Sequence, residues 1–75
     1  MRVVIRYFAG LKEARGTDSE SVELPDGCTA AEAYRCLKLP EGLPVAYAVN
    51  LDRVPAGTRL AEGDEVVFLP PIGGG

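Results

Sequence analysis

The six residues Pro70-Pro71-Ile72-Gly73-Gly74-Gly75 are the stretch whose types and order come nearest to a reactive group. Proline fixes φ and resists helix, so Pro70 and Pro71 project the chain outward as an extended stalk. Three glycines carry no side chains and would thread a narrow channel. Six extended residues reach about 20 Å, enough to enter a deep site on another protein. A terminal α-carboxyl has a reference pKa of about 3.3–3.7, so Gly75 ends as an anion at neutral pH and a poor electrophile. It needs activation, for instance by adenylation, before it can accept a nucleophile. A frayed end is the plainer account of terminal glycines. What separates the two readings is contiguity: stalk and glycines follow directly on an apolar strand.

The other chemical candidates are weaker. Histidine is absent, which removes Ser-His and Cys-His nucleophilic pairs and any imidazole ligand, and no metal site is expected. Cys28 and Cys36 stand eight apart. On one helix that is about 12 Å, too far for a disulfide. Each fits a small buried hydrophobe better than a persulfide relay. Cys28, just before a helix N-terminus that would lower its pKa, is the better relay of the two. Asp64 and Glu65 are adjacent on a strand and point to opposite faces, so they read as turn and surface residues. Arg6 and Lys12 read as surface charges. The glycine triplet is followed by neither Lys-Ser/Thr nor a helix, so it is no phosphate loop.

Positioning such a tail takes a folded platform, and the composition supplies one. Seventy-five residues, 47% of them hydrophobic, make a single domain with a real core. Eight Lys and Arg against eleven Asp and Glu give a net charge of −3, which speaks against non-specific binding to nucleic acid or membrane. The start, MRVVIRYFAG, is too short and too charged for a signal peptide, nothing approaches a transmembrane length, and two separated thiols fit the cytoplasm.

Alternation makes 2–9 a strand, with Val3, Ile5 and Tyr7 on one face and Arg2, Val4, Arg6 and Phe8 on the other. GLKEAR (10–15) forms a short helical turn ended by Gly16. A second strand, 19–24, closes in the turn Pro25-Asp26-Gly27. Thr29 and Glu32 make a capping box that opens the main helix over 30–37, with Ala30, Ala33, Tyr34 and Leu37 on its apolar stripe and Glu32 and Arg35 opposite. Pro40, Gly42 and Pro44 end it. Strands follow at 45–50, briefly near Arg53-Val54, and at 65–69. One main helix against a mixed sheet of four to five strands is an α+β domain over 1–69, with 70–75 as its extended tail. With the first and last strands paired in the centre, the architecture is a β-grasp, or ubiquitin-like, roll.

In the last strand Val66 and Phe68 point one way, Val67 and Leu69 the other. The helix covers the first pair. Val67 and Leu69, with Val4 and Phe8 and a rim of Arg2 and Arg6, are then expected to form an exposed apolar face where a partner docks. A loop covering that face is the alternative.

VIRYFAGLKEARG near the start, AVN at 48–50 and LAEGDEVVFLPPIGGG at the end resemble the small subunit of molybdopterin synthase over the whole chain. The resemblance implies a ubiquitin-like sulfur carrier that is not catalytic alone and binds no cofactor itself. An E1-like adenylyltransferase would use ATP to adenylate Gly75, and a sulfur donor would convert it to a thiocarboxylate. The tail would then enter the large catalytic subunit of molybdopterin synthase, where sulfur passes to cyclic pyranopterin monophosphate. Gly74 completes the Gly-Gly ending, while Gly73 departs from the Ser or Thr more usual there. A triple glycine also resembles the sulfur carriers of thiamine biosynthesis. A carrier for thiamine biosynthesis or tRNA thiolation is the nearest alternative, and a ubiquitin-like interaction module with an inert tail the alternative of another class.

Overall fold

The computed structural model describes residues 1–8 and 10–70. Five strands and two helices run in the order β1 (Arg2–Tyr7), α1 (Gly10–Arg15), β2 (Ser19–Glu23), α2 (Ala30–Cys36), β3 (Ala46–Val49), β4 (Asp52–Val54) and β5 (Glu65–Leu69). They form one sheet in the order β2-β1-β5-β3-β4, with β1 and β5 parallel and every other pair antiparallel. First and last strands are therefore central neighbours, as the β-grasp expectation requires.

The alternating pattern of β1 settles which face is inside. Val3, Ile5 and Tyr7 are buried, as are Val66 and Phe68 of β5 and Ala30, Ala33 and Tyr34 of α2. Phe68 lies at the centre, edge-on to Tyr34 (5.3 Å between ring centroids) and Tyr47 (5.8 Å), with Tyr7 at 6.2 Å. Two of these tyrosines carry their hydroxyls to an acceptor at the core's edge: Tyr34 donates to the Pro40 carbonyl at 2.6 Å and Tyr7 to Glu20 at 2.7 Å. The Arg15 guanidinium also meets Glu20 and donates to the Leu37 carbonyl at 3.1 Å, so the Glu20–Arg15 pair links β1, β2 and α1 to the C-cap of α2. Glu20 is held below the usual carboxylate range, first by Arg15 and then by the Tyr7 hydroxyl. Tyr7 is pushed up, first by burial and then by Glu20.

The capping box forms as expected: the Thr29 hydroxyl accepts from the Glu32 N–H at 3.1 Å and Glu32 accepts from the Thr29 N–H at 2.9 Å. Element ends differ from expectation for local reasons. β1 stops at Tyr7 because the Phe8 carbonyl accepts from the Leu11 N–H (3.1 Å) and turns the chain into α1. Lys38, in the left-handed region at φ 56°, ends α2 before Pro40 is reached. Asn50 leaves β3 for the turn into β4, where Asn50 (φ 50°) and Leu51 (φ 76°) fill the two positive-φ positions of a tight hairpin. The Asn50 side chain fixes that turn, accepting from the Glu65 N–H at 3.0 Å and donating to Asp64 at 2.9 Å.

Candidate functional site

β5 is the central strand and Leu69 its last residue, so Pro70 leaves the sheet from its middle. Parallel pairing with β1, in the register Tyr7 opposite Phe68, brings Phe8 out at the same end as Leu69. Between them and the 43–45 loop runs an apolar groove of about 290 Å³, lined by Phe8, Leu11, Leu43, Val45, Leu69 and Pro70. Phe8 is 46% exposed and Leu43 50%. Pro70 is thus the rim of an open apolar groove. Pro71, Ile72, Gly73, Gly74 and Gly75, the stalk and reactive end expected from sequence, lie outside the described residues.

The outer face of the sheet corrects one expectation. Val67 does point away from the helix, but it is only 6% exposed and offers almost nothing to a partner. In register it sits between Arg6 on β1 and Ala48 on β3, and Ala48 in turn faces Arg53 on β4. Glu65, the preceding β5 residue on the same face, accepts from the Arg6 guanidinium at 2.7 Å. A valine in the central strand has register neighbours on both sides. Leu69 and Val4 are half-buried and Arg6 is exposed. Apart from Leu51 in the β3–β4 turn, the accessible large apolar side chains among the described residues therefore gather around Phe8, Leu43 and Leu69 at the tail's root, with Arg6 on the neighbouring strand.

The 43–45 loop and Arg53 were missed from sequence. The loop has no periodicity to mark it, and Arg53 joins the face only through a strand order that its own three-residue strand does not declare.

Cys28 and Cys36 are both free. Cys28 is buried, as expected, but its thiol is pushed up, first by burial and then by Cys36 and Glu32, so the expected lowering at the helix start does not occur. Cys36 is exposed and corrects the expectation of a buried role. The two share one open cleft of about 360 Å³. Asp64 accepts from the Ala61 N–H at 2.8 Å and Glu65 pairs with Arg6, the turn and surface roles expected of them. No cluster of three or more metal-ligating side chains occurs among the described residues, and no described helix is long and apolar enough to cross a membrane.

Comparison with known proteins places this platform. The molybdopterin synthase sulfur carrier subunit of Escherichia coli (strain K12) is 36% identical, the match covering 97% of this chain and 99% of that protein. The structure of a putative molybdopterin converting factor, subunit 1, from Pyrococcus furiosus superposes with a TM-score of 0.80 at 28% identity, covering 96% of this chain and 99% of that one. A complex of subunits 1 and 2 of molybdopterin-converting factor from Helicobacter pylori contains a chain that matches with a TM-score of 0.65 at 27% identity over 100% of both. The ThiS family model matches residues 5–75. That match starts inside β1 and runs through the proline pair and the glycines, taking the central strands and the tail they carry as one unit, and the chain belongs to the ThiS family.

Proposed function

We propose that this chain is the sulfur-carrying small subunit of a molybdopterin synthase. An E1-like adenylyltransferase spends ATP to join the Gly75 carboxylate to AMP, releasing pyrophosphate. A sulfur donor then displaces AMP and leaves a thiocarboxylate. The loaded tail enters the large catalytic subunit and gives its sulfur to cyclic pyranopterin monophosphate. ATP and the sulfur donor are used by the activating partner, and the carrier itself holds no cofactor. Its work is that of a group carrier, in the cytoplasm.

The observation that carries this reading is the end-to-end match to a sulfur carrier subunit at 36% identity. The geometry is suited to it. Five residues beyond Pro70 reach about 17 Å when extended. The apolar groove at the rim of Pro70 gives a partner something to hold while the tail inserts. Gly73 and the family model keep the thiamine pathway as the second reading, because the family takes its name from such carriers.

Intact mass tests the proposal. Incubated with a competent adenylating enzyme, ATP and a sulfur donor, the chain gains the difference between a sulfur and an oxygen atom, localised to Gly75. No gain removes the carrier reading. A gain whose sulfur passes to a thiazole synthase but never to a molybdopterin synthase large subunit moves the chain to the thiamine pathway.

A further inference from the structure

The groove at the root of the tail is small for the docking that the carrier reading asks of it. Eight residues line it, and with the five of the tail beyond Pro70 they make thirteen. A standard protein–protein interface takes about 20–30 residues from each side. A complex with the large subunit therefore needs more of this chain's surface. Two directions lead away from the groove: across the outer face of the sheet, or over the 43–45 loop toward α2.

The outer face offers little. Val67 and Ala48, at its centre, are 6% and 7% exposed, and Arg6 and Glu65 are already paired with each other. The other direction is open. Leu43 and Val45 line the groove and also a second hollow of about 360 Å³, so the loop is a ridge with a hollow on either side. Tyr34, Tyr47, Ala31 and Ala56 line the second hollow, and Arg35 and Glu41 stand in its wall. Its aromatic lining is fixed in place. Both tyrosine rings pack edge-on to Phe68, and the Tyr34 hydroxyl donates to the Pro40 carbonyl at 2.6 Å. The charges beside it are free: Arg35 and Glu41 are exposed and enter no ion pair among the described residues. Tyrosine and arginine around a preformed hollow are what interface hot spots are made of. The hollow brings seven residues that the groove lacks, which raises the thirteen to twenty.

On the reading of this chain as a carrier subunit, we propose that the docking surface for the large subunit continues from the tail's root over the 43–45 ridge into the Tyr34–Tyr47 hollow. The hollow takes one apolar side chain of that partner, with a carboxylate beside it to meet Arg35 and a cationic group to meet Glu41. Leu43, which borders both hollows, is then the centre of the surface, and the outer face of the sheet is its rim.

Calorimetric titration of the full-length chain with the large subunit, beside the urea midpoint of each variant, tests this. Arg35→Ala removes the free cation, and Ala56→Arg fills the hollow. Each is expected to raise Kd about tenfold or more. Arg35 is exposed and alanine is a good helix former, so Arg35→Ala keeps the wild-type midpoint and carries the test even where Ala56→Arg fails to fold. Ser21→Arg, exposed on the outer face opposite Val4, should bind as the wild type does. Wild-type affinity in Arg35→Ala, with Phe8→Ala still weakened, overturns the extension over the ridge and leaves the carrier reading standing. A loss in Ser21→Arg as large as in Arg35→Ala also overturns it, because the surface would then run across the sheet. No binding of the wild-type chain to the large subunit brings down the carrier reading and the extension together.

Discussion

Replacing Phe8 by alanine should weaken the complex with the large subunit far more than it weakens the fold, and the structure gives the size of both effects. A phenylalanine buries about 150–250 Å². The 46% of Phe8 left exposed is therefore about 70–115 Å² available to a partner. At about 25 cal/mol per Å² that is roughly 2–3 kcal/mol, or about a 30- to 150-fold rise in Kd. The buried half costs the fold about 1.5–2.5 kcal/mol, half the range for a fully buried Phe→Ala. A domain of this length holds about 4–11 kcal/mol, so the variant stays folded. Val67→Ala is the control from the same face. With 6% exposure it has almost nothing to lose to a partner. Removing its two methyl groups nevertheless costs the fold about 1.5 kcal/mol. Calorimetric titration of each variant against the large subunit, beside its urea midpoint, separates the two effects. Equal loss of affinity in both variants would refute the argument, because docking would then run across the sheet and not around the tail's root.

Three further outcomes follow from particular residues. Adding one residue after Gly75 should abolish sulfur transfer and leave the melting curve unchanged, because it moves the carboxyl by about 3.3–3.6 Å and near-attack geometry tolerates far less; transfer by an extended, untrimmed chain would count against a carboxyl held at fixed depth. Glu20→Gln should destabilise the domain at neutral pH and lose that deficit in acid. The folded-state pKa of Glu20 is lowered, so its contribution is complete above the unfolded value of about 4.3 and disappears as pH falls through the folded one. Urea midpoints of the two proteins should therefore converge at low pH, and a constant gap would show that the carboxylate's charge is not what links the helices. Leu51→Gly should raise stability by about 1 kcal/mol, since Leu51 is 86% exposed and held at φ 76°, where only glycine sits without strain; a lower melting temperature would mean the leucine makes a contact that offsets its backbone cost.

How far sequence reasoning reached depended on whether a feature is written in neighbouring residues. Period-two alternation identified Val3, Ile5 and Tyr7 as inward, and Thr29 with Glu32 marked the start of α2, because a strand's faces and a helix's cap are local properties. The same alternation put Val67 on the outer face but could not tell that it is covered. Arg6 and Ala48 become its neighbours only once β1 and β3 flank β5. The groove at Pro70 and the shared cleft of Cys28 and Cys36 were out of reach for a related reason. One depends on the aperiodic 43–45 loop folding back on the end of β5, the other on one extended residue, Thr29, turning the chain before the helix begins. On the proposed reading the tail carries the chemistry, and partner choice would fall to the side chains that tertiary pairing gathers at its root. What sets this chain apart from other carriers is then to be sought at Phe8, Leu43 and Leu69, where the open groove meets the root of the tail.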